Sequence, residues 1–91
     1  MSHGVIADPD DLKRFARELK TFNTGLGDAM TQLQGQFVRL GDTWRDQEHQ
    51  KFGQEFEQTM RVLNHFMQSS EQQVPLLQGK ARKLRDYLRH R

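Results

Sequence analysis

A mass of 10.7 kDa in 91 residues, no cysteine and a mean hydropathy of −0.92 leave room for one domain. They exclude most multi-domain enzymes, disulfide scaffolds, cysteine zinc sites and cysteine nucleophiles. Leu, Ile, Val and Phe supply 21 of the 91 residues, just above the ~20% line below which chains stay disordered, so the chain folds around a thin core. The net charge of +2 is unevenly spread: residues 80–91 hold six basic groups against Asp86, and residues 1–79 hold 8 basic against 11 acidic groups. The basicity therefore belongs to the C-terminal segment. No apolar run is long enough to span a membrane, and Asp8, Asp10 and Asp11 interrupt the stretch that a cleaved signal peptide needs. The absence of cysteine suits a reducing or an oxidising compartment, so both an exported and a cytoplasmic protein are consistent with it.

The first predicted helix spans about 9–40. Asp8 can accept from the free N–H groups of its first turn, Pro9 suits the first helical position, and Asp10 and Asp11 sit at the positive end of the dipole. Leu12, Phe15, Leu19, Phe22, Leu26, Ala29 and Leu33 alternate spacings of three and four, a heptad seam that Phe37 and Leu40 continue after a one-residue slip. Gly25 and Gly27 weaken the helix, yet the apolar phase runs through them and one unbroken helix is expected.

Leu40-Gly41-Asp42-Thr43-Trp44 reads as the main turn, placed at 41–45, with Gly41 suited to a left-handed C-cap and Asp42 or Thr43 to the next N-cap. The second predicted helix covers about 46–88. Its seam is Phe52, Phe56, Met60, Leu63, Met67, Ser70, Val74, Leu77, Ala81, Leu84 and Leu88, with Val62, Phe66, Leu76 and Tyr87 beside it. Pro75 cannot donate to the carbonyl of Glu71, and a kink is expected there. No strand-like alternation occurs, so the class is all-α, an antiparallel helix-turn-helix hairpin.

Helix lengths of ~48 Å and ~65 Å imply that helix one is used up near Leu77 and that 78–91 overhang. Lys80 would then lie near Asp8, Asp10 and Asp11. An overhanging seam, and stripes wider than one helix can cover, ask for a second hairpin and a dimeric four-helix bundle. The seam expected to hold hairpin and dimer together is Leu12, Phe15, Leu19, Phe22, Leu26, Leu33, Phe37, Phe52, Phe56, Met60, Leu63 and Met67.

Catalytic and metal chemistry find no footing. The histidines at 3, 49, 65 and 90 lack ligand spacing, and no nucleophile elbow or phosphate loop is present. No enzyme activity, metal or cofactor is expected. Lys80, Arg82, Lys83, Arg85, Arg89 and Arg91 form a basic block that could contact nucleic acid or an anionic surface. The plainer reading is a set of cations favoured at a helix C-terminus. That reading is preferred, and nucleic acid is not an expected partner, because the balance of −3 over residues 1–79 suggests no second basic surface.

Trp44, the only tryptophan, sits in the turn, where it would plug the end of the hairpin. Trp44-Arg45-Asp46, followed by Phe52 and Phe56, between two amphipathic helices in a chain of this length, resembles the WXG family, the early-secreted-antigen-like proteins of type VII secretion. The resemblance covers roughly residues 8–88. It implies a hairpin that pairs with itself or with a paralogous hairpin protein, export without a cleaved signal peptide, and recognition by a secretion ATPase. Two positions depart from the family pattern: Asp46 stands where the motif has Gly, and Tyr87 is followed four residues later by Arg91 instead of an acid.

Overall fold

The computed structural model describes residues 7–90. Asp8 opens the first helix, its carboxylate accepting from the Asp10 N–H at 2.8 Å ahead of Pro9. Helix α1 then runs over Pro9–Leu40 without a break at Gly25 or Gly27. Helix α2 runs over Gln47–Arg89, and its N-cap is Asp46, whose carboxylate accepts from the His49 N–H at 3.0 Å. It continues as one helix through Pro75.

The connection differs from the expected turn. Gly41 adopts right-handed helical angles, φ −62° and ψ −16°, and no described residue has positive φ. Instead of reversing at once, the chain prolongs α1: the N–H groups of Gly41, Asp42, Thr43 and Trp44 donate to carbonyls three or four residues back. Asp42 and Thr43 thus close the first helix, and capping of the second falls to Asp46.

This extension shifts the register of the two helices. α2 must run back past residues 41–44 before it draws level with Leu40, so α1 reaches further along α2 than helix lengths alone imply. A Cβ on Gly53 would stand 3.2 Å from the Phe37 ring, and at the open end Asp10 forms an ion pair with Arg85. The expected overhang of 78–91 is therefore corrected. Ala81 is buried and Leu84 half-buried against α1, leaving Leu88 exposed. It is Arg85, rather than Lys80, that meets the acidic start of α1.

The seam between the helices is narrow. On α2 the half-buried and buried positions follow Phe56, Met60, Leu63, Met67, Ser70, Val74, Leu77, Ala81 and Leu84, the expected line. On α1 the seam is turned by one residue: Ala16, Asn23 and Met30 are buried, with Leu12, Leu19, Leu26 and Phe37 half-buried around them. Phe15 and Phe22 face outward, each 55% exposed. Ala16 lets the helices approach where a Phe would hold them apart; about three turns on, an added Cβ at Gly27 would meet Met67 Sδ at an ordinary contact distance of 3.4 Å.

Asn23 is the polar exception at the centre of this seam. Ser70 Oγ lies 3.0 Å from Asn23 Oδ1 and 3.0 Å from the carbonyl of Phe66. The hydroxyl has one proton to give, and Asn23 Nδ2 is buried without a partner among the described residues. No large side chain is fully buried among them. Two helices form a single layer, and a layer cannot seal its own core.

Candidate interaction surface

A two-helix layer has two broad faces, and these helices give them opposite chemistry. One face carries the line just outside the seam on each helix: Phe15, Phe22 and Ala29 on α1, Phe52 and Phe66 on α2. The Phe22 and Phe66 rings meet edge to face across the groove, centroids 6.2 Å apart. Leu33 borders this line, and Val62 and Leu76 lie one step further round α2, all of them exposed. Seven large apolar side chains thus stand open to solvent on one side of a thin molecule. Large contiguous apolar patches are rare on the surfaces of monomers and, as a rule, serve interaction.

At the turn end the face runs into an aromatic cluster. Phe37 stacks on His49 at 5.1 Å and on Phe56 at 4.9 Å. Trp44 meets His49 edge-on at 5.0 Å and Phe52 at 5.9 Å. The turn residues hold the indole there: Arg45 Nε donates to the Gly41 carbonyl at 3.1 Å, and Asp46 caps the helix that carries His49 and Phe52. Trp44 is half-buried, covering the end of the hairpin while leaving one edge beside Phe52 on the apolar face.

The rim of this face is charged in alternation. Asp11 and Glu18 lie at the open end of α1 and Arg39 at its turn end; Glu48 and Glu55 lie at the turn end of α2 and Lys80 and Lys83 at its open end. Glu18 adjoins Phe22 together with Arg14 and Arg17, and Glu48 and Glu55 adjoin Phe52 together with Lys51.

The opposite face is polar. Its turn half holds the Glu57–Arg61 pair with Asn64 and Gln34. Its open half holds a cavity of about 410 Å³ lined by Lys13, Arg17, Gln78, Ala81, Arg82 and Arg85.

The twelve seam positions named from sequence thus divide. Leu12, Leu19, Leu26, Phe37, Phe56, Met60, Leu63 and Met67 lie at least half-buried along the hairpin, whereas Phe15, Phe22, Leu33 and Phe52 are exposed. The basic block divides too. Arg82 and Arg85 turn toward α1, Lys80 and Lys83 lie round the other side, Arg89 is exposed near the end, and Arg91 lies outside the described residues, as does His3. The partners of Arg82 and Arg85 escape a segment-by-segment charge sum. Lys13, Arg17 and Lys20, spaced four and three, form a basic line on α1 that the acids elsewhere in residues 1–79 cancel arithmetically.

No group of His, Asp and Glu that could hold a metal occurs among the described residues. No helix there is long and apolar enough to cross a membrane. Compared with known families, the chain matches WXG100, described as proteins of 100 residues with WXG, over residues 4–87. No curated protein and no solved structure matches it.

Proposed function

The chain belongs to the WXG100 family, and from that membership we propose that it acts as a non-enzymatic interaction protein, pairing face to face with a second hairpin into a four-helix bundle that a type VII system exports without a cleaved signal peptide. The partner is a second copy of this chain or a paralogous hairpin with the same pattern. The observation that carries the reading is the exposed apolar face through Phe15, Phe22, Phe52 and Phe66.

Its outline, 67 by 23 Å, is ample for the ~800 Å² per partner that a stable interface buries. The rim supports a second copy in particular. Turned end for end, one hairpin sets its Asp11 level with Arg39 of the other and its Glu55 level with Lys80 and Lys83. In a side-by-side pairing with both turns at one end, Asp11 and Glu18 oppose Lys80 and Lys83 instead. Either two-fold arrangement brings unlike charges together, the self-complementarity an isologous interface requires. Engagement by a secretion ATPase belongs to the same reading.

Sedimentation equilibrium of the purified chain at micromolar concentration is expected to give twice the monomer mass. A stable, well-folded monomer, both alone and mixed with a paralogous hairpin protein, would remove the proposal.

A further inference from the structure

The polar face carries a feature that pairing through the apolar face does not use. Lys13 and Arg17 of α1 converge with Arg82 and Arg85 of α2 on one cavity at the open end, above a floor of Ala81 and Gln78. Only Arg85 is neutralised, by Asp10; Lys13, Arg17 and Arg82 make no ion pair among the described residues. Lys20 and Arg89 extend the two basic lines by one step at each side, so each line covers about 10 Å of helix. Three unpaired cations drawn from two helices into one recess, beside the Arg85–Asp10 pair, repel one another, an arrangement that an anionic guest relieves.

We infer that this groove binds an acidic peptide segment. Three features select a peptide among anions. Arg17, Arg82 and Arg85 offer forked guanidinium groups that pair two-pronged with carboxylates. The anion the chain itself brings to the groove is a carboxylate, Asp10. Gln78 supplies both a donor and an acceptor, matching a peptide group, whereas a phosphate offers acceptors only. The small Ala81, 4% exposed, and the aliphatic stems of Lys13 and Arg17 leave an apolar floor for the intervening side chains. The recess lies between the helices, where the surface of a duplex or a bilayer would meet its edges and not its floor. The inference is independent of the pairing proposed above, because the groove opens on the other face.

Fluorescence anisotropy of the full chain with a labelled glutamate-rich peptide tests it, with single-stranded DNA of equal charge as the comparison. The double variant Arg17→Gln/Arg82→Gln is expected to weaken peptide binding about tenfold or more. Lys51→Gln/Arg61→Gln, which removes the same charge from the turn half, should change it less than about twofold. Asp10→Asn, which frees Arg85, should tighten it about two- to threefold. Circular dichroism and gel filtration of each variant report fold and pairing separately. Equal losses from both double variants, no peptide binding by the native chain, or tighter groove-dependent binding of the DNA would each overturn the assignment.

Discussion

The two broad faces are built by the same two helices in the same heptad phase, and they differ in everything else. One presents Phe15, Phe22, Phe52 and Phe66 in the open; the other presents Lys13, Arg17, Arg82 and Arg85 around a recess. Each set reaches across the hairpin once, through the Phe22–Phe66 ring contact and the Arg85–Asp10 ion pair, while the buried line between them is made of small and half-buried residues. The difference teaches that in a two-helix layer the fold occupies one narrow line per helix. The flanking lines are then free to carry recognition, one hydrophobic and one electrostatic.

Breaking the apolar face should have the largest effect. Phe22→Asp puts a charge where a partner would desolvate it, and self-association is expected to weaken by about 100-fold or more. Lys20→Asp, two residues away along the chain but on the polar face, should leave the sedimentation profile unchanged. Similar behaviour of the two variants would show that the faces are not distinct in pairing.

Trp44→Ala comes next, because Trp44 belongs to the fold and to the edge of the apolar face together. Loss of its contacts with His49 and Phe52 should cost ~2–4 kcal/mol, read as a fall in the thermal midpoint; an unchanged midpoint would make the indole a surface handle alone.

The line between the faces is tested by Ser70→Ala. It removes the hydroxyl that stands 3.0 Å from Asn23 Oδ1 and should destabilise by ~1–2 kcal/mol. The double variant Asn23→Leu/Ser70→Ala leaves nothing unpaired and should be near neutral or stabilising. Denaturant midpoints that fall additively would show that the two residues do not act as a pair.

The smallest change sharpens the comparison. An added Cβ at Gly25 meets nothing within 4 Å in the hairpin, so Gly25→Ala should raise helix stability by ~0.5–1 kcal/mol. A lower midpoint at concentrations where the chain is paired would place a partner's backbone against Gly25.

Much of this was legible in the residues. The run of three- and four-residue spacings marks two long helices. Asp8-Pro9 marks the start of the first, whereas the cap of the second, expected at Asp42 or Thr43, falls to Asp46. On α2 the seam follows the apolar line directly, because only one line there has that spacing throughout. On α1 two lines compete, Leu12–Phe15–Leu19–Phe22 and Leu12–Ala16–Leu19–Asn23, and hydrophobicity favours the first. Helix–helix distance decides for the second: Ala16 fits between two backbones, and Asn23 is tolerated because Ser70 stands opposite. The basic groove was hidden for a related reason. Charge summed along a segment erases a line of cations at helical spacing, and Lys13 and Arg17 lie far in sequence from Arg82 and Arg85.

What the sequence alone determined is therefore the local part: an all-α chain, two amphipathic helices, a tryptophan-bearing connection and the family to which that pattern belongs. Period and capping chemistry act over a few residues and leave their mark on the order of the chain. Only the tertiary structure decided which apolar line closes the hairpin, how far α1 reaches along α2 and which cations converge. Those depend on the axial extension through residues 41–44 and on side-chain size across the seam, quantities set by the distance between two helices and carried by neither one.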